Sequence, residues 1–203
     1  MKLYYSPGAC SLAPHIILCE LKASFEKIKV DLKTKTTEKD EDFSKINPKG
    51  YVPFLVLDDQ STLSEVAIIL QYLADQHPEG NLIPQFGSRE RYTLLEWVHF
   101  ISTEIHKGFS PFFRKDTPEG YLQIAKDTLT KRLPVIANRL ETQDYVMGSQ
   151  FTIADAYLFT VLRWAGLVKF NLEAWPQLIN YLDRIAERPS VKEAVQSEKT
   201  KIN

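Results

Sequence analysis

The chemistry-bearing residue with the most telling neighbours is Cys10, in the run Ser6-Pro7-Gly8-Ala9-Cys10-Ser11-Leu12-Ala13-Pro14. Proline is tolerated in a helix only in the first turn, where its missing N–H would have no partner anyway. Pro14 therefore places a helix start near residue 11, with Ser11 or Cys10 at the cap. The Cys10 sulfur then sits among unpaired amides at the positive end of the helix, which favours thiolate over thiol. Two readings stay open on spacing alone. One is a reactive thiol, or an anion site for a ligand's thiolate; the other is a small cysteine filling a turn. Cys19 falls inside the same helix among apolar neighbours and is expected to be inert. The pair is not C-x-x-C, so dithiol exchange within one site is not expected. Two cysteines supply neither a disulfide framework nor a four-ligand zinc site.

Further groups could serve a ligand. In Asn47-Pro48-Lys49-Gly50-Tyr51-Val52-Pro53-Phe54, Pro53 stands at a strand entry, where the lost donor is tolerated. A cis Val52–Pro53 bond would leave the Val52 backbone open to pair with an extended peptide, although a trans bond is the commoner state. Ser64-Glu65-Val66 opens a helix. Its amides attract a carboxylate while Glu65 suits an ammonium, together the two charges of an amino acid; equally, Ser64 caps and Glu65 complements the dipole. His99, Thr103 and His106, followed by Lys107, share a helical face. His106 could polarise a thiol, or be a surface histidine; with no third ligand nearby, no metal is expected. Thr152 and Asp155 have the spacing of a capping box and read as structural. Phe109, Phe113 and Trp164 could line an apolar pocket or fill a core.

These residues need elements to hold them. Lys2–Tyr5 reads as a strand, Ser6–Gly8 as a turn and Ser11–Leu21 as a helix. Lys27–Leu32 is a second strand, and residues 34–46 a charged loop with a short surface helix. Pro53–Leu57 and Ser61–Leu63 form a hairpin before a helix over Glu65–Gln76. The order βαβ-ββα predicts a four-stranded mixed sheet with helices packed on it, an α+β arrangement. His77–Gly80 ends it and 81–87 is a linker. Strand signals then fade, and amphipathic stretches near 89–114, 118–142, 152–168 and 175–187 predict an all-helical domain over 88–203. The polar end, SEKTKIN, is expected to fray.

Composition agrees with two small globular domains. The 203 residues are 44% hydrophobic and 25% charged, with a net charge of −1, so no overall field draws nucleic acid or an anionic membrane. There is no signal-peptide core and no apolar run of membrane-spanning length. With reduced cysteines expected, the cytoplasm is the natural compartment.

Taken together, MKLYYSPGACSLAPHI, INPKGYVPFL, QYLAD, HKGFSP and FTIADAYLF, in order and at matching spacing, resemble the glutathione S-transferase superfamily, and within it the bacterial beta class, from Met1 to about Ala194. The resemblance implies a thioredoxin-like N-terminal domain, an all-helical C-terminal domain and a homodimer. It implies glutathione as co-substrate, no tightly bound cofactor and no metal. Cys10 would face the glutathione sulfur and could form a mixed disulfide with it, Val52 would pair with the cysteinyl part before a cis Pro53, and Glu65 with the Val66 amide would hold the γ-glutamyl end. Lys35 would contact the glycyl end; Thr103, Glu104, His106 and Lys107 would approach from the helical domain. The wider family favours Ser, Thr or Gly where this chain has Val66. The beta class tends to have Asn where it has His99, a position that reaches the neighbouring subunit's glutathione.

The mechanism expected on this footing is a glutathione thiolate, activated by helix-end amides, Ser11 and His106, attacking an electrophile held against Phe109, Phe113 and Trp164. A thiol–disulfide oxidoreductase or peroxidase working through Cys10 is the first alternative. The second is a non-catalytic binding or interaction module with a decayed site, kept open by Val66 and His99.

Overall fold

A computed structural model describes residues 1–198. The chain forms two compact units. Met1–Gly80 make the first, completed by the helix Pro189–Ser197; Asn81–Arg188 make the second.

In the first unit, β1 (Lys2–Tyr5), α1 (Leu12–Glu20) and β2 (Glu26–Asp31) form a strand–helix–parallel strand crossover. After β3 (Thr36–Thr37) and α2 (Phe43–Ile46), the hairpin β4 (Phe54–Val56) and β5 (Thr62–Ser64) leads into α3 (Val66–Gln76). The sheet order is β3-β2-β1-β4-β5, with β1 parallel to β2 and the other pairings antiparallel. It therefore has five strands, not four. The extra one is the two-residue β3, paired with β2 through Val30–Thr37 and Asp31–Thr36. Leu3 and Leu55 are fully buried, as are Leu12, Ile16, Ile17, Ile69, Leu70 and Leu73 of α1 and α3. Tyr4, Ile28, Val30, Phe43, Val52 and Phe54 build a second apolar cluster. Burying β1 on both faces suits a central strand with a parallel neighbour.

The sequence expectation assigned everything after residue 88 to the helical domain. The last helix, α10 in chain order (Pro189–Ser197), packs instead on α1 of the first unit. Its Val191, Ala194 and Val195 are buried, and Ser190 hydrogen-bonds Glu20. Nor do Ser197 and Glu198 fray. Glu198 is 4% exposed and its Oε1 lies 2.8 Å from His15 Nδ1, while Ser197 Oγ lies 3.3 Å from His15 Nε2. The remaining residues of the polar end lie outside the described chain.

The second unit holds α4 (Arg89–Phe100), α5 (Lys107–Phe109), α6 (Glu119–Leu140), α7 (Ile153–Leu162), α8 (Trp164–Leu167) and α9 (Pro176–Ala186). The expected single helix over 89–114 is interrupted. Ile101–His106 is a π-helical turn closed by Lys107 N donating to Ser102 O, and Ser110–Phe113 is a 3₁₀ turn. α7 is buried along its whole length, so it is the central helix of the unit. Gly108 lets α5 press on α6: a Cβ there would stand 2.7 Å from Leu129 Cδ2. No helix among the described residues is long and apolar enough to cross a membrane.

Candidate active site

The turn between β1 and α1 carries Cys10. Ala9 N donates to Ser6 O and Leu12 N to Ala9 O, each at 3.0 Å, while Gly8 adopts a φ of +74° that suits its missing Cβ. Gly8 N also donates to Glu198 Oε2 at 3.0 Å. The helix begins at Leu12, with Ser11 in the cap position and Pro14 in the first turn, as the sequence predicts. The Ser11 side chain does not cap it. Its Oγ accepts from Ser6 N at 3.1 Å and donates to Ser6 O at 3.3 Å. Ser11 is fully buried. In this arrangement its hydroxyl braces the turn.

Cys10 is half-buried, and its Sγ donates to Val52 O at 3.2 Å. That carbonyl precedes Pro53, and the Val52–Pro53 bond is cis, the less common of the two states left open by the residues alone. Cys19 is reduced like Cys10, but burial pushes its thiol up to about 12, with the carboxylate of Glu193 adding to the shift. It stays protonated and a poor nucleophile at any ordinary pH. Iodoacetamide at pH 8 is therefore expected to add one carbamidomethyl group, on Cys10. Peptide mass mapping that placed the label on Cys19 would contradict this.

Glu65 is the turning point between β5 and α3. Its φ of +87° is unusual for a residue with a side chain, a strain of about 1–3 kcal/mol held at one position. The carboxylate stays exposed beside Tyr51, whose hydroxyl donates to Oε1 at 3.1 Å, and Lys49, whose Nζ is 3.4 Å from the same oxygen. Lys49 Nζ also donates to Ser64 Oγ at 2.8 Å. Partial desolvation, and then the bond to Glu65, raise the Tyr51 hydroxyl above its usual range, which keeps it a donor. Ser64 does not cap: it ends β5, and Glu65 occupies the cap position without a side-chain capping bond. Val66 is 5% exposed, its side chain turned into the core. Lys35 Nζ donates to Gly50 O at 2.5 Å.

The second unit holds a separate group. His106 Nδ1 lies 2.7 Å from the Tyr157 hydroxyl, and its ring meets Trp164 edge-on at 5.0 Å. Trp164 in turn meets Phe113 edge-on at 5.2 Å. Phe113 is 49% exposed, so this aromatic run reaches the surface. Phe109 does not belong to it. That ring is fully buried, packs edge-on against Phe170 and has no surface for a substrate. His99 and Thr103 precede His106 on the same helical stretch. Both are exposed, with His99 Nδ1 donating to Leu95 O at 2.7 Å and Thr103 Oγ1 donating to His99 O at 3.1 Å. Thr103 and His106 both lie within the π turn, and His106 meets Tyr157 of α7. Glu104 pairs with Arg132 Nε at 2.6 Å, and Lys107 is exposed.

The capping box is present. Asp155 Oδ2 accepts from Thr152 N and Thr152 Oγ1, both at 2.9 Å; Oδ1 accepts from Val146 N at 2.8 Å and the Tyr181 hydroxyl at 3.0 Å. Sequence reasoning missed Lys49, Tyr51 and Tyr157, which belong to no spacing pattern, and Glu198, whose place against Gly8 depends on the return of α10. Among the described residues, no group of three His, Cys, Asp or Glu side chains gathers as a metal would need.

Against known proteins, the chain matches the family models of the glutathione S-transferase N-terminal domain over residues 8–76 and C-terminal domain over residues 100–189. It is 48% identical to glutathione S-transferase GstA of Escherichia coli O157:H7 over 98% of both chains. A sphingomonad glutathione S-transferase solved with glutathione superposes with a TM-score of 0.94 at 43% identity, over 98% of this chain and 99% of that one. A bacterial beta class glutathione S-transferase from Sphingomonas chungbukensis gives the same TM-score and identity over 98% of each chain.

Proposed function

This chain belongs to the glutathione S-transferase family, and from that premise we propose how its own residues carry out glutathione transfer. Glutathione is the co-substrate. Its thiol is seated at the start of α1 beside Cys10, its cysteinyl backbone pairs with Val52, its γ-glutamyl end meets Glu65 and the Val66 amide, and its glycyl end meets Lys35. The observation that carries this reading is the bond from Cys10 Sγ to Val52 O, which sets a thiol at a helix N-terminus against the backbone that precedes Pro53. Helix-end amides stabilise the thiolate. The thiolate attacks carbon bearing a leaving group such as halide: a C–S bond forms, the carbon–halogen bond breaks, and halide departs with the thiol's proton released to water.

The aromatic run Phe113–Trp164 is assigned to the electrophile, and His106 to donating a hydrogen bond to developing charge. Supporting this, the Tyr157 hydroxyl can donate to His106 Nδ1, which fixes the proton on Nε2. Lys107, Thr103, Glu104 and His99 are kept as glutathione contacts, the last with a role reached through a second copy of the chain. Phe86, 86% exposed, and Tyr92, 63% exposed, support a homodimer by offering apolar surface to a partner. The reduced cysteines support work in the cytoplasm on toxic electrophiles.

A second activity has its own support in the Cys10 thiol. Its thiolate can attack the sulfur of a glutathione disulfide, forming Cys10–S–S–glutathione and expelling the other thiolate. The non-catalytic alternative finds no support among relatives that are named transferases. The test is conjugation of glutathione to an activated chloroarene, followed by absorbance. Saturable turnover above the uncatalysed rate is expected; a rate no better than buffer would sink the proposal.

A further inference from the structure

The amino-acid end of glutathione carries an ammonium and a carboxylate on one carbon, so a site that seats both needs opposite charges side by side. We propose that Lys49 is the cation that receives the γ-glutamyl carboxylate. This rests on the reading of Glu65 as the seat of the ammonium. Lys49 Nζ and Glu65 Oε1 stand 3.4 Å apart, a charge pair at the spacing that a zwitterion would meet in reverse. The Val66 amide gives that carboxylate one donor; the other neighbouring groups leave the place of a cation open. Val66 brings a backbone amide, but its side chain is aliphatic and buried, so it contributes no hydroxyl. Tyr51 already donates to Glu65, and Lys35 is committed to Gly50 O. The N-terminus of α3, an 11-residue helix, adds only a partial positive charge.

Lys49 is also free to change partner. Half of its side chain is exposed, and it is held by Ser64 Oγ and an exposed carboxylate, contacts of small worth. An ammonium arriving at Glu65 repels the Lys49 ammonium, while the carboxylate on the same ligand carbon receives it. One ion pair is thus exchanged for two. Lys49 acts as a binding residue for the ground state and takes no part in bond making.

The test compares steady-state kinetics of the full-length wild type, Lys49→Met and Lys49→Arg. Each is assayed with glutathione and with glutathione amidated at its γ-glutamyl carboxylate. Lys49→Met is expected to raise KM for glutathione about five-fold with kcat unchanged, as loss of a partly exposed ion pair would. Lys49→Arg should restore it, and the amidated analogue should give wild type and Lys49→Met the same KM. A KM that is unchanged or lowered in Lys49→Met, or a penalty that persists with the analogue, overturns the proposal. Glu65→Gln separates the two layers. If it leaves KM unaltered, the underlying seat is misread; if it raises KM while Lys49→Met does nothing, Lys49 alone is misassigned.

Discussion

Replacing Asp155 by alanine is expected to lower the unfolding free energy by about 4 kcal/mol at neutral pH. The residue is fully buried, and its two oxygens accept four hydrogen bonds, from Thr152 N, Thr152 Oγ1, Val146 N and Tyr181 Oη. Truncation leaves two backbone amides without their acceptor, at about 1–3 kcal/mol each before relaxation, and leaves Tyr181 Oη only its longer bond to the Asp155 carbonyl, at 3.3 Å. It also unties the start of α7, the central helix of the second unit. Burial pushes the Asp155 carboxyl up to about 6, against the pull of those four donors. An unfolded aspartate titrates near 4, so the folded chain binds the extra proton between roughly pH 4 and 6. The stabilising contribution is complete below about pH 4 and shrinks as pH rises through 6. Chemical denaturation of wild type and Asp155→Ala should therefore show a wider gap at about pH 4 than at about pH 8. A gap under 1 kcal/mol at every pH would mean that α7 starts without this carboxylate.

The second large effect concerns Cys10. Cys10→Ala is expected to abolish the glutathionyl adduct seen by intact mass after incubation with oxidised glutathione. Cys19, whose thiol stays protonated, cannot replace it. Conjugation should fall by about ten-fold in kcat/KM, the equivalent of one charge-assisted contact of about 1.4 kcal/mol in the transition state. The bound thiolate would keep the helix-end amides but lose the neighbouring sulfur. An adduct that survives the substitution would refute the assignment. Conjugation that stays complete while the adduct vanishes would move activation to Ser11, His106 or Tyr5.

Much of the first unit is written in local signals. Pro14 marks the start of α1 to within a residue, and the turn at Asp58-Asp59 separates the two strands of the hairpin. β3 escapes detection because Thr36–Thr37 lies in a charged stretch without alternation; it exists only through its register with Val30 and Asp31. The π turn is hidden for a related reason. Residues 89–114 have helical spacing throughout, and a single widened turn, which holds both Thr103 and His106, leaves no mark on composition. Phe109 and Phe113 show the limit of aromatic spacing: both lie on one apolar stretch, but one is core and the other surface. The pairing of Lys49 and Tyr51 with Glu65 needs the hairpin to close before the residues meet.

The bond from Gly8 N to Glu198 Oε2, with His15 beside it, has a consequence for biosynthesis. The cysteine-bearing turn is finished by a residue 190 positions further along the chain. On a ribosome the β1–α1 segment emerges before that residue, and its acceptor and the covering helix arrive only after the whole intervening unit has been made. Folding of the two units then cannot follow simple order of synthesis: the second can be complete while the first still waits. Until then, the thiol-bearing turn is left without that anchor.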